Sequence, residues 1–191
     1  MNCSTASSCD NYPPTVVPAS TTGVTLEEKA KSLENKLKDL RENDLHLTKT
    51  YTSIGEIYYE QGECERALAN YKKALESGLR NLPSTDQSEE IATCYLNIGQ
   101  VYEAQKRFSE ALEMCEKALE IDLKVLPPNH PSLGTVYTQI SSIYDSLKDH
   151  SKAIKYLLKA LEIKLTSLPS NHPSLSATYY YLSMAHFELG L

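Results

Sequence analysis

Residues 91–133 read IATCYLNIGQVYEAQKRFSEALEMCEKALEIDLKVLPPNHPSL, and residues 133–175 repeat their pattern without a gap after a shift of 42 positions. The five residues NHPSL at 129–133, for example, return unchanged at 171–175. A repeat of this length decides the architecture, because each copy is one supersecondary unit that buries its apolar face against the next copy.

Two further copies flank this pair. The motif Y-x-x-I-G-x-x-Y at 95–102 is already present 44 residues upstream, at 51–58. A fourth copy opens at Tyr179 and reaches Leu191, about where its second segment should begin. We therefore expect an array of three and a half repeats.

Each copy has the spacing of two helices. Tyr95, Ile98 and Tyr102 are three and seven residues apart, so they share one face of a first helix. After a break at 104–108, a second apolar stripe with helical spacing continues until Pro127 ends it. A lone helical hairpin leaves apolar surface exposed, so the copies are expected to stack as a solenoid with a concave face.

The sequence before the repeats changes character at Thr25. Residues 1–24 are rich in Ser, Thr and Pro, and we expect them to form a disordered leader. Thr25 and Glu28 have the spacing of a capping box, which predicts a helix over 25–44. Its leucine stripe is expected to pack on the first repeat; the alternative is a short coiled-coil seam for a partner.

Composition narrows the class of protein. The net charge is −6 without a cluster of Lys or Arg, which disfavours nucleic acid as a partner. No apolar run approaches the roughly 20 residues that span a bilayer, and the N-terminus does not resemble a signal peptide. Five cysteines, an odd number, favour reduced thiols. We expect a cytoplasmic protein without a membrane partner.

The histidines and cysteines do not form a recognisable reactive set. His130 and His172 occupy equivalent connector positions, so a repeated turn explains them better than two active sites. There, Asn129 or His130 is expected to cap the next helix, with Pro131 in its first turn. The sequence has no C-x-x-C pair, glycine-rich phosphate loop or G-x-S-x-G motif. We expect no catalytic residue, metal or cofactor, and therefore no enzyme.

Over residues 45–191, the order of aromatic, Ile-Gly, Tyr and Ala positions resembles the tetratricopeptide repeat (TPR), with Tyr where Trp is commoner. The 42-residue period and the Asn-His-Pro connector are most similar to the kinesin light chain subtype. The resemblance implies an all-α fold, an α-α superhelix (TPR solenoid) of about three and a half helical hairpins after an N-terminal helix. The expected boundaries are a leader at 1–24, a packing helix at 25–44, repeats at 45–90, 91–132 and 133–174, and a partial repeat at 175–191.

The resemblance also implies where a partner binds, since first helices form the inner groove of TPR proteins. The positions expected to line it, called the groove positions below, are Lys49, Thr52, Ser53, Glu56, Tyr59, Thr93, Asn97, Gln100, Glu103, Thr138, Gln139 and Ser142. Hydroxyl and amide groups dominate, and such groups pair with the backbone of an extended peptide. Acidic side chains that include Glu60 and Asp145 favour a neutral or basic peptide. The family's carboxylate clamp is not reconstructed by Lys49 and Asn97.

The resulting hypothesis is a non-catalytic scaffold that binds a peptide segment of a partner, possibly as a kinesin light chain-like cargo adaptor. One alternative is a regulatory or oligomerising TPR tail of a larger enzyme. Another is self-association, as a homo-oligomer, through the C-terminal end around Tyr179, Leu182 and Ala185. The identity of the bound peptide does not follow from the sequence.

Overall fold

The computed structural model describes residues 25–39, 46–80 and 85–190. Within these ranges the chain forms eight helices and no strand. The predicted leader, the end of the predicted N-terminal helix and the connector at 81–84 lie outside the described residues. The helices are α1 (Leu26–Asp39), α2 (His46–Glu60), α3 (Cys64–Arg80), α4 (Thr85–Ala104), α5 (Phe108–Val125), α6 (Pro131–Ser146), α7 (His150–Ser167) and α8 (Pro173–Glu188).

The chain divides into two compact units, and the first, which ends at Arg107, holds α1 to α4. Helices α2 and α3 form a hairpin, α1 packs on α2, and α4 packs on α3. The hairpin is tight because Gly55 has no side chain. A Cβ atom there would lie 2.6 Å from Cε1 of Tyr71, whose ring is buried between the helices.

Helix α1 begins with the predicted capping box. The Thr25 N–H donates to Oε2 of Glu28 at 2.8 Å, and the Glu28 N–H donates to Oγ1 of Thr25 at 3.2 Å. The helix is tied to the first hairpin through the Tyr58 hydroxyl, which donates to Oε1 of Glu34 at 2.6 Å. The Arg66 guanidinium lies 3.8 Å above the Tyr58 ring. Helix α1 thus covers an edge of α2.

The second unit begins at Phe108 and holds α5 to α8. Helices α6 and α7 form a hairpin, with α5 packed on α6 and α8 packed on α7. The rings of Tyr144 and Tyr156 stack across this hairpin with centroids 5.6 Å apart. His130 caps α6 and His172 caps α8, each accepting a hydrogen bond from the backbone N–H two residues later. The prediction of a repeated structural role for these histidines is confirmed.

The turns that follow α2, α4 and α6 repeat in detail. Gly62, Lys106 and Lys148 occupy equivalent positions, and their φ angles are +77°, +60° and +63°. In the third copy the Asp149 N–H donates to the Tyr144 carbonyl at 2.9 Å. A left-handed residue followed by this bond is the Schellman ending of a helix. Two lysines therefore hold a backbone conformation that favours glycine.

Cys94 and Cys115 are buried and in the thiol form. Cys64, at the start of α3, is also buried.

Candidate functional site

In the first unit, side chains from the groove positions join α2 to α4. Nζ of Lys49 lies 3.0 Å from Oε1 of Glu90. One turn along, Oγ1 of Thr52 lies 3.6 Å from Sγ of Cys94. Burial raises the pKa of the Cys94 thiol to about 11, so this group is a neutral packing element. Helices α2 and α4 therefore lie side by side.

Glu56 lies four residues after Thr52 on α2, and Asn97 lies three residues after Cys94 on α4. Helical spacing therefore places both about one turn beyond the contact between Thr52 and Cys94. Nδ2 of Asn97 is buried and has no hydrogen-bond partner. Burial, with a smaller contribution from Glu60, raises the pKa of the Glu56 carboxyl group. An unsatisfied amide donor on α4 and the carboxyl group of Glu56 on α2, which is exposed and whose pKa is raised, therefore lie at the same level of the two helices.

The remaining groove positions of the first unit differ in availability. The Thr52 hydroxyl donates to the Thr48 carbonyl at 2.9 Å, and the exposed Thr93 donates to the Glu89 carbonyl at 3.0 Å. Both hydroxyl groups therefore already donate a hydrogen bond within their own helix. Ser53, Tyr59 and Gln100 are half-buried. Glu103 is only 5% exposed, which removes it from the exposed acidic rim expected from the sequence.

In the second unit, the groove positions lie on α6. Thr138, Gln139 and Ser142 are half-buried, while Asp145 is exposed and its Oδ1 lies 2.9 Å from Nδ1 of His150. The Thr138 hydroxyl donates to the Gly134 carbonyl at 2.8 Å. These side chains form a polar face on the first helix of the third predicted repeat.

Sequence reasoning missed Lys164, which lies beneath this face. Its Nζ donates to Oγ1 of Thr138 on α6 and to Oγ1 of Thr178 on α8, both at 3.0 Å. The residue is 8% exposed, and burial lowers the pKa of its ammonium group. The equivalent positions in the earlier repeats are occupied by Gly78 and Asp122. This change of residue type between repeats was the one sign in the sequence that Lys164 has a role of its own.

A cavity of about 590 Å³ in the second unit is lined by the end of α5, the connector, α6 and α7. Leu123, Leu133 and Tyr137 contribute apolar surface to it, and Lys159 and Glu162 contribute charge. Among the residues that the structure describes, no group of three or more His, Cys, Asp or Glu could hold a metal ion. Within the same ranges no helix is long and apolar enough to cross a bilayer.

The helical hairpins, their repeated turns and the aligned first helices define a helical repeat protein. Tetratricopeptide repeat families match residues 47–82 and 90–166, which together make up more than half of the chain. The chain belongs to the tetratricopeptide repeat family. The predicted fold class, an all-α fold of TPR-type hairpins, is confirmed.

Solved structures share this fold at low sequence identity. BtubC (BKLC) from P. vanneervenii matches with a TM-score of 0.76 and 21% identity, over 86% of this chain and 66% of that one. The nearly identical TPR-like repeats of a Podosopora anserina protein, provisionally assigned as a kinesin light chain, match with a TM-score of 0.67 and 22% identity, over 86% and 79%. MamA matches with a TM-score of 0.61 and 19% identity, over 87% and 80%.

The chain thus spans just under two thirds of the length of BtubC. No curated protein sequence matches it significantly. These likenesses concern the fold, and the partner has to be inferred from the residues of this chain.

Proposed function

We propose that the protein is a non-catalytic scaffold that binds an extended peptide segment of a partner protein along α2 and α4. The observation that carries this proposal is the buried Nδ2 of Asn97, which has no hydrogen-bond partner. A buried donor without an acceptor costs about 1–3 kcal/mol. The carbonyl oxygen of a peptide backbone laid between α2 and α4 would supply that acceptor.

The neighbouring Glu56 supports the same occupant. A peptide backbone offers donors as well as acceptors, and a carboxylate accepts from an N–H or from a cationic side chain. The raised pKa of Glu56 means that its charge is incompletely solvated in the unbound protein. A neutral or basic peptide would stabilise the charged form, whereas an acidic peptide would oppose it.

The fold adds a suggestion about biological context. The similarity to the P. anserina repeats, assigned as those of a kinesin light chain, is consistent with a cytoplasmic cargo adaptor. We propose this role for the chain as the setting in which the peptide is recognised. The partners we propose are proteins rather than nucleic acids or membranes, in keeping with the net charge of −6.

The test begins with a random peptide library selected against the whole chain, followed by calorimetric titration of the enriched peptides. We expect Asn97→Ala to weaken binding about tenfold, because one hydrogen bond to a buried amide is lost. Glu56→Gln should weaken basic peptides more than neutral ones. The matched control is Asn70→Ala on α3, whose amide donates to the Arg66 carbonyl away from the groove positions.

Two results would overturn the proposal. One is a selection that enriches no peptide at all. The other is an enriched peptide whose affinity is the same for wild type, Asn97→Ala and Glu56→Gln, because such a peptide would bind elsewhere.

A further inference from the structure

Among the residues that the structure describes, the buried ammonium group of Lys164 has acceptors for two of its three hydrogen atoms. Lys164 is 8% exposed, and its Nζ donates to Oγ1 of Thr138 on α6 and to Oγ1 of Thr178 on α8. Both hydroxyl groups donate in turn to carbonyls of their own helices, those of Gly134 and Ser174. One N–H donor of a buried cation is therefore left over, and such a donor is costly.

The geometry of the ammonium group directs this third hydrogen towards the surface that α6 and α8 share. Helix α7, which carries Lys164, packs against both of these helices. The three N–H bonds of a tetrahedral ammonium group point away from its Cε atom, and here they point away from α7. Because two of them end on α6 and α8, the third lies between these helices on the side remote from α7. Ser142, another of the groove positions, lies about one turn beyond Thr138 on α6.

No carboxylate on the described residues of α6, α7 and α8 offsets the charge of Lys164. The acidic residues of α6 and α8 are Asp145 and Glu188, each in the last turn of its helix. Thr138 precedes Asp145 by two turns, or about 10 Å along the axis. On α7, Glu162 lies two residues before Lys164, so helical spacing places it on a different side. Burial is what lowers the pKa of the Lys164 ammonium group.

The first unit shows that the fold does not require a lysine at this place. By the repeat alignment, the corresponding three positions hold Thr52, Gly78 and Cys94. Oγ1 of Thr52 and Sγ of Cys94 lie 3.6 Å apart, and α2 and α4 pack without a charged side chain at this position. Helix packing therefore does not explain Lys164. A buried charge that packing does not require is a candidate for a role in binding.

A single carboxylate matches the donor that Lys164 offers. The hydroxyl hydrogens of Thr138 and Thr178 already go to backbone carbonyls, so the ammonium group is the donor that these three side chains offer to a ligand. A carboxylate accepts a charge-assisted hydrogen bond and balances the charge, whereas a neutral carbonyl oxygen would leave the charge unbalanced. A phosphate group carries up to about two charges and is best bound by several donors. The site therefore favours an Asp or Glu side chain.

We propose that Lys164 binds the carboxylate of an Asp or Glu side chain in a peptide segment that lies over α6 and α8. This contact presupposes the proposed function and adds a second kind of recognition to it, because Glu56 and Asn97 of the first unit favour a neutral or basic stretch. Lys164 lies on the second helix of its hairpin. It is therefore outside the groove positions on first helices that the family resemblance implies.

The first test is a selection of mRNA-displayed random peptides against the full chain. In this format the C-terminus of each peptide is linked to its mRNA, so an enriched carboxylate belongs to a side chain. We expect a position enriched in Asp or Glu with wild type and with Lys155→Met, and no such position with Lys164→Met. Lys155 is the matched control because it is an exposed lysine of the same helix, and each variant removes one positive charge.

The second test compares an enriched peptide with a version in which the acidic residue is replaced by its amide, both with amidated C-termini. Calorimetric titration should show about tenfold weaker binding of the amide version to wild type and to Lys155→Met, because a hydrogen bond between charged groups is lost. Lys164→Met should bind both versions equally. In wild type that carries nitrogen-15 lysine, the side-chain resonance of Lys164 should shift with the acidic peptide and much less with the amide version.

The failure of this contact can be told apart from the failure of the proposed function. A selection that enriches no peptide overturns both. Enriched peptides that lose affinity with Asn97→Ala, but have no acidic position that depends on Lys164, overturn the contact alone. A preference for acidic residues that is lost equally with Lys155→Met reflects general attraction between charges and also overturns the contact.

Two further results bear on the assignment to a side chain. If the amide version regained its affinity when given a free C-terminal carboxylate, Lys164 would bind a chain terminus, and the assignment would be wrong. Circular dichroism should show wild-type helicity for both lysine variants. Because the lysine resonance is measured on wild type, an unshifted Lys164 signal contradicts the contact even if Lys164→Met failed to fold.

Discussion

Lys164 shows most clearly how a single residue departs from the repeat pattern. Its ammonium group is buried against two threonine hydroxyls rather than against a carboxylate. Each hydroxyl keeps its own bond to a helix carbonyl, of Gly134 for Thr138 and of Ser174 for Thr178. Because a buried charge without an opposite charge is poorly stabilised, Lys164 lowers the stability of the folded chain at neutral pH.

We predict that Lys164→Met raises the melting temperature at pH 7. The two threonines keep their bonds to the backbone, and the desolvated charge is removed. A gain of about 1 kcal/mol corresponds to about 2–4 °C for a chain of this size. The exposed Lys155→Met on the same helix is the control and should change the melting temperature little.

The pH dependence follows from the lowered pKa of Lys164. The folded state releases this proton at a lower pH than the unfolded state, whose lysine keeps the ordinary value of 10.5. Between the two values the unfolded state binds more protons, so wild-type stability gains from this residue as the pH rises. The advantage of Lys164→Met should therefore shrink towards pH 10. A variant that is less stable than wild type at pH 7 would contradict the explanation.

A second prediction at this scale concerns the repeated turn. Gly62 has a positive φ and open space around its Cα, so Gly62→Ala changes only the backbone strain. We expect it to cost about 1 kcal/mol in urea unfolding. Lys148→Gly at the equivalent position should stabilise the chain by about 0.5 kcal/mol, because it relieves a left-handed lysine. If Gly62→Ala and Lys148→Gly changed the free energy of unfolding by the same amount and in the same direction, the two turns would not be equivalent.

At the scale of helices, Gly55 sets the distance between α2 and α3. A methyl group at this position would meet the buried Tyr71 ring at 2.6 Å, and the helices would have to separate. We predict that Gly55→Ala destabilises the chain by about 1–3 kcal/mol through overpacking. Chemical denaturation monitored by circular dichroism measures the change.

The control for this prediction is Gly134→Ala on α6. Its added methyl group would have neighbours no closer than 3.5 Å, which is ordinary van der Waals contact. Because alanine favours a helix over glycine, this variant should be more stable by up to about 1 kcal/mol. If Gly134→Ala were as destabilising as Gly55→Ala, the close approach at Tyr71 would not explain the first result.

The helices could be predicted from the sequence because their signals are local. The capping box at Thr25 and the histidine caps at 130 and 172 depend on residues within one turn. Burial depends on neighbours that periodicity does not reveal, so the pattern places Glu103 on an exposed rim and gives no sign of a buried Lys164. The groove positions on α2 and α4 could be predicted from the family resemblance. That Nδ2 of Asn97 is buried without a hydrogen-bond partner could be seen only in the structure.

At the scale of the whole molecule, stability should differ between helices according to their neighbours. In the second unit α6 contacts both α5 and α7, whereas α8 contacts α7. We predict that the amides of α8 exchange with solvent faster than those of α6 in a dilute sample. Hydrogen exchange read by mass spectrometry tests this order, and equal protection of the two helices at low concentration would contradict it.

The connector between repeats has one further consequence. Residues 129–133 and 171–175 are identical, and both place a histidine cap before a proline at the start of a helix. Recombination between the two coding segments would therefore add or remove 42 residues without altering a single residue at the joint. The two connectors are interchangeable. The number of repeats can therefore change by one hairpin at a time while each new helix keeps its histidine cap.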